Sequence, residues 1–114
     1  MNLTPTEQER LTIFTAAELA RRYRSLGIRL SHPEAVALIA DETLTAARRG
    51  LSHADVLAYG ASLLTTDDVE PGVAGMIPFV AVEPTFAEGT KLVVVFDPVK
   101  PGSRPATDEP VPGE

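Results

Sequence analysis

The same helix-start signal is written twice in this chain, as Thr4-Pro5-Thr6-Glu7 and as Ser31-His32-Pro33-Glu34. Each places a hydroxyl residue at an N-cap and a proline in the first turn, where its missing amide donor costs nothing. Each also places a glutamate three residues on, able to reach back to the cap amide. Both runs carry a stop as well. Gly27 follows "QERLTIFTAAELARRYRSL" and Gly50 follows "AVALIADETLTAARR", and glycine is the residue that closes a helix in the left-handed conformation. Two bounded helices are therefore fixed before any other feature is considered.

Their faces come next. At a period of 3.6, Ile13, Phe14, Ala16, Ala17 and Ala20 share one broad side of the first helix, and its alanines would let another helix approach closely. On the second, Val36, Ile39, Ala40, Thr43 and Ala47 fall together, with Ala35, Leu38 and Leu44 beside them. Ser52 then caps a third helix, "HADVLAYGASLL", with Asp55 at its third position. Gly60 inside that helix costs up to ~1 kcal/mol relative to alanine, which predicts a packing reason for it.

After Leu64 the character changes. "TTDDVEPGVAGMIP" reads as a loop with one short helical turn at Asp67–Glu70. Two strand candidates follow, Phe79–Phe86 and Lys91–Asp97, joined by "AEGT" with Gly89 available for a positive φ. Pairing Phe86 with Lys91 sets Val82 opposite Val95 and Ala81 opposite Phe96. Val82, Val93 and Val95 then share one face, and Leu92, Val94 and Phe96 share the other. A solvated two-stranded ribbon would be polar on one side. Here one apolar face can lie on the helices and the other wants a partner.

The fold expected is α+β: a helical bundle of three to four helices, then a C-terminal antiparallel β-hairpin and an extended tail. A length of 114 residues suits one domain, drawn at 1–100, with 101–114 as a flexible Pro/Gly-rich tail.

Composition narrows the chemistry. No cysteine is present, so disulfides, thiolate metal sites and cysteine nucleophiles are excluded. The net charge of −6 is uneven: residues 1–50 carry seven Arg against six acids, and residues 51–114 carry three basic residues against ten acids. Such a chain is a poor ligand for nucleic acid. A helix-turn-helix over 34–64 fails for the same reason, since no Lys or Arg lies between Leu51 and Leu64 to reach phosphates or base edges. Arg21, Arg22, Arg24 and Arg29 cluster near the end of the first helix. They suit either its C-terminal dipole or an acidic partner surface.

His32 and His53 each stand near the start of a helix, with no second histidine or carboxylate at metal-ligand spacing. Asp41 and Glu42, adjacent on a helix, point about 100° apart and suit a solvated face better than an acid/base pair. Ser62, Thr65 and Thr66 have no histidine near them in sequence, and the glycines occur singly rather than in a phosphate-binding loop. No catalytic, cofactor-binding or metal-binding residue is assigned. The acidic opening "MNLTPTEQERL" is not a signal peptide, and no run approaches the roughly 20 apolar residues of a membrane span, so a cytoplasmic protein is expected.

"LTPTE", "PEAVALI" from Pro33 to Ile39, "GVAGMIP" from Gly72 to Pro78 and "EGTKLV" in the hairpin, in this order and spacing, resemble the gamma subunit of bacterial urease over about residues 1–99. The resemblance implies a noncatalytic structural subunit of a complex that hydrolyses urea to ammonia and carbamate. It places two nickel ions and their ligands in the large alpha subunit. It implies alpha and beta subunits as partners, in a trimer of alpha-beta-gamma units, and no catalytic residue here. Residues 101–114, closing on "PGE" at Pro112–Glu114, resemble a gamma-to-beta junction, which makes a separated or truncated gamma portion one expectation. A stand-alone interaction module diverged from the complex is the alternative. One departure is Pro84, where the family pattern has alanine; lacking an amide donor, it must face an edge or a bulge.

Overall fold

The structure is a computed structural model and describes residues 2–103. Helix α1 spans Pro5–Ser25, α2 His32–Arg48 and α3 His53–Gly60. The capping signals act as read. Thr4 Oγ1 accepts the Glu7 amide at 3.1 Å while Glu7 Oε1 accepts the Thr4 amide at 2.8 Å. Glu34 Oε1 reaches back to the Ser31 amide at 2.9 Å, and Ser52 Oγ accepts the Asp55 amide at 3.2 Å. These bonds satisfy donors that a helix start otherwise leaves open.

The two stops share one geometry. Gly27 and Gly50 take φ of 77° and 94°. The Gly27 and Ile28 amides donate to the Arg24 and Tyr23 carbonyls, and those of Gly50 and Leu51 to the Ala47 and Ala46 carbonyls. This is the paired bonding of a Schellman motif, and it needs the left-handed residue that glycine supplies.

Helix α2 is the axis of the molecule. It packs against α1, against α3 and against strands β2 (Phe79–Val82) and β3 (Thr85–Phe86). Its buried residues, Ala35, Ala37–Asp41, Thr43, Ala46 and Ala47, therefore run almost all round it. On α1 the small residues Ala17 and Ala20 are fully buried against it. Phe14 was expected on that face and is instead 45% exposed. It lies one position beyond Ile13, and a step of about 100° turns it to the outer side.

Two apolar clusters flank α2. One gathers Ala20, Leu30, Leu38, Ile39, Leu64, Val69, Ile77 and Val80; the other Ala46, Ala47, Val56, Phe86, Val93 and Val95, with Val82 touching both. Gly60 sits where α3 crosses the hairpin. A Cβ there would stand 2.9 Å from Thr43 Oγ1 and 3.0 Å from Val95 Cγ2. Packing explains the glycine.

Helix α3 and the loop after it differ from expectation. Helix α3 ends at Gly60 rather than Leu64, because Leu64–Thr65 form strand β1, parallel to β6 (Val99–Lys100). The short helical turn lies at Ala74–Met76, a 3₁₀ turn, and not at Asp67–Glu70. There the Asp68 side chain accepts the Thr65 amide at 2.9 Å and holds a side-chain-capped turn instead.

In the hairpin, β2 pairs antiparallel with β5 (Val93–Phe96), and β3 with β4 (Gly89–Thr90). Val82 faces Val93, not Val95, and Phe86 faces Gly89. The loop is the two residues Ala87 and Glu88, tighter than "AEGT", with Gly89 at φ 119°. At Pro84 the ladder is one-sided: its carbonyl accepts the Lys91 amide at 3.1 Å, and no donor can answer. Of the expected tail, residues 101–103 lie along Thr66 and Asp67, and 104–114 fall outside the described residues.

Candidate functional site

Six charged or phenolic groups from three helices meet on one side of α2. Arg10 Nη1 donates to Asp41 Oδ1 at 2.6 Å, and Arg21 Nη2 donates to Asp41 Oδ2. Arg21 also donates to Glu42 Oε2, at 3.1 Å from Nε and 2.6 Å from Nη2, and to Glu18 Oε1 at 2.6 Å. Tyr59 of α3 donates its hydroxyl to Glu42 Oε1 at 2.7 Å. The Asp41 side chain is only 3% exposed. The solvated face expected for Asp41 and Glu42 is thus corrected: Asp41 is a buried carboxylate held by two guanidinium groups. Reasoning from helix α2 alone could not find partners supplied by α1.

Electrostatics follow the contacts. Burial alone would lower the Arg21 pKa, but the hydrogen bonds it donates to Asp41, Glu42 and Glu18 outweigh burial and raise it above its ordinary value. Arg21 stays a cation at any working pH. The bond to Glu42, aided by burial and by the charge of Glu42, pushes the Tyr59 hydroxyl up from its usual value. Such a network can fasten helices. Asp41 and both named oxygens of Glu42 are engaged by donors within it.

The remaining sequence candidates are also placed. His53 Nε2 lies 3.0 Å from the Leu92 carbonyl, and its ring is 5.6 Å from Phe86, so it joins α3 to the hairpin. His32 is the first residue of α2 and half-buried. Among the described residues no group of three or more His, Asp or Glu side chains comes together that could hold a metal ion. Arg24 donates to Asp68 Oδ1 at 3.2 Å and to the Leu63 carbonyl at 3.3 Å. Arg21 and Arg24 are thus engaged by this chain's own acceptors. Ser62 donates to the Tyr59 carbonyl, and Thr66 Oγ1 accepts the Gly102 amide. Among the described residues no helix is long and apolar enough to cross a membrane.

What the surface does present is apolar. Val80, Val93 and Val95 face the helices and are buried, and Val82 is partly buried with them. On the opposite face of the ribbon Phe79, Leu92 and Phe96 are 53%, 57% and 66% exposed. Phe79 and Phe96 stand directly opposite in the ladder with rings 6.2 Å apart, and Met76 is exposed just before the strand. Helix α1 carries a second stripe of exposed Leu11, Phe14 and Leu19, beside a shallow depression lined by Thr15, Arg22 and Ser25. Exposed large apolar residues gathered on one face are candidates for an interaction surface. The hairpin face was readable from strand alternation. The α1 stripe has a signal too, the i, i+3, i+8 spacing of Leu11, Phe14 and Leu19, which the stronger alanine face obscures.

Residues 1–99 match the family model described as urease, gamma subunit. The chain is 57% identical over 114 residues to a protein of Pseudomonas syringae pv. syringae named urease subunit gamma/beta. That match covers 100% of this chain and 49% of the relative, so the chain spans about half the length of that relative. It is 50% identical over 109 residues to urease subunit gamma of Natronomonas pharaonis, covering 96% of this chain and 100% of the relative. Against urease subunit gamma of Actinobacillus pleuropneumoniae it is 50% identical over 100 residues, covering 88% of this chain and 100% of the relative.

Proposed function

This chain belongs to the urease gamma subunit family, and from that membership we propose that it is a noncatalytic structural subunit of a nickel-dependent urease. The complete enzyme hydrolyses urea to ammonia and carbamate, which breaks down to further ammonia and carbonic acid. Its partners are the alpha and beta subunits, in a trimer of alpha-beta-gamma units working in the cytoplasm. The observation that carries this reading is the family match over residues 1–99, which takes in α1, α2, α3 and the hairpin as far as the start of β6.

The division of labour is part of the same proposal. A pair of nickel ions needs several histidine and carboxylate ligands converging on one site, with positions left open for water and urea. The donor set of the described residues does not fit such a centre, as His32 and His53 begin different helices and gather no metal-competent group. The nickel is assigned to the alpha subunit. The contribution of this chain is surface: the Phe79, Leu92 and Phe96 face, built on a ribbon whose other side is anchored in the core.

Co-expression of the tagged chain with untagged alpha and beta chains tests the proposal. A stoichiometric complex is expected on affinity purification. Recovery of the tagged chain alone, with alpha and beta assembling fully in the flow-through, would overturn it.

A further inference from the structure

Residues 64–68 receive the segment that leaves the hairpin. Strand β6 lies parallel to β1, with Leu64 opposite Val99 and Thr65 opposite Lys100, and the Thr66 amide donates to the Lys100 carbonyl at 2.8 Å. Past the ladder, side chains take over. The Gly102 amide donates to Thr66 Oγ1 at 2.9 Å, and the Ser103 amide and hydroxyl donate to Asp67 Oδ2 at 3.0 and 2.9 Å. Gly102 lies so close to the turn that a Cβ would stand 2.5 Å from the Asp67 carboxyl carbon and 2.6 Å from Oδ2. A Cβ there would force the Asp67 carboxylate out of the position in which it accepts from Ser103.

The turn is itself fastened from two sides. Asp68 Oδ2 accepts the Thr65 amide, while Asp68 Oδ1 accepts Arg24 Nε of α1. The Leu30 amide donates to the Asp68 carbonyl at 2.8 Å, and the Glu70 amide to the Leu30 carbonyl at 2.9 Å. The hairpin exit, α1 and the α1–α2 connection therefore converge on one short turn.

We propose that the turn at Thr65–Asp68 is a clamp that fixes where the chain leaves the domain. Thr66 and Asp67 act as positioning residues, and Gly102 allows the backbone to approach them. Pro101–Ser103 then belong to the folded unit rather than to a tail, and whatever follows departs from one place. This rests on the reading of the chain as an assembly subunit. A segment whose start is already fixed meets part of its ordering entropy in folding instead of at docking.

Amide hydrogen exchange on the full chain, read by NMR, tests the clamp. Protected Gly102 and Ser103 amides are expected. Thr66→Ala should speed exchange at Gly102, and Asp67→Ala at Ser103, by about fivefold or more, the weight of one lost hydrogen bond. Gly102→Ala should release both sites, and Thr66→Ser should restore Gly102. Unchanged exchange at Ile39 and Val95 shows in each variant that the fold is intact. Unprotected Gly102 and Ser103 in the parent chain, or variants that leave their exchange unchanged, would overturn the clamp. Assembly of the parent chain with alpha and beta chains is scored separately. Protection without assembly overturns the subunit reading alone, and assembly without protection overturns the clamp alone.

Discussion

Arg21 of α1 and Asp41 of α2 are hydrogen-bonded across the helix pair, with the carboxylate almost wholly buried and Arg10 bound to its other oxygen. Two close-packed helices could slide along an alanine face, because small residues give little register. A buried carboxylate between two guanidinium groups at different heights on α1 removes that freedom.

Asp41→Ala leaves both cations without that partner. Breaking a fully buried pair costs about 3–5 kcal/mol, and partial exposure of both arginines brings the expected loss to about 2–3 kcal/mol. Urea denaturation should show a lower midpoint at an unchanged slope. A midpoint within error of the parent would mean that the network does not fasten α1.

Gly60→Ala should destabilise the chain even though alanine is the better helix former by about 1 kcal/mol. The added methyl meets Thr43 Oγ1 and Val95 Cγ2 at about 3 Å, and overpacking of this kind costs roughly 1–3 kcal/mol. Thermal unfolding gives the sign: a raised midpoint would show that the α3–hairpin crossing is looser than described.

Tyr59 carries a pH signature. Its folded pKa is raised, first by the bond to Glu42 and then by burial. A raised folded pKa stabilises the protonated form, so the contribution is complete below the unfolded value of about 10 and is lost as pH rises through the folded one. Ultraviolet titration of the parent against Tyr59→Phe isolates this hydroxyl. The difference curve should lie above the ordinary tyrosine range. A midpoint at or below that range would remove the Tyr59–Glu42 bond from the account.

The ribbon's two faces should respond differently to one substitution. Val93 is fully buried and Phe96 is 66% exposed. Val93→Asp puts a charge into the core and should unfold the isolated chain. Phe96→Asp should leave circular dichroism and unfolding nearly unchanged while reducing recovery in the complex. Equal unfolding by both changes would contradict a free outer face.

What could be read in advance was local. Thr4, Ser31, Gly27 and Gly50 act within a few residues of themselves, so the helix ends are written in adjacent letters. The division of the ribbon into two faces also survives, although its register is displaced by two at Val82, because a displacement of two keeps every side chain on its own side. The β1–β6 pairing was not legible: a strand of two residues has no periodicity, and its partner lies far along the chain. Asp41 was misread because Arg10 and Arg21 reach it from another helix, a contact that spacing along α2 does not encode. The Asp67–Glu70 turn failed for a related reason, since Asp68 serves as a side-chain acceptor there rather than as the start of a helix.

The central claim is that this chain supports a urease without performing its chemistry, and urea turnover tests it most directly. Ammonia release would be followed for the purified chain with nickel, for co-expressed alpha and beta chains, and for all three together. The account predicts no turnover by this chain alone, full turnover by the three-chain assembly, and loss of most of it when this chain is left out. Turnover by the isolated chain, or undiminished turnover by alpha and beta without it, would contradict the account.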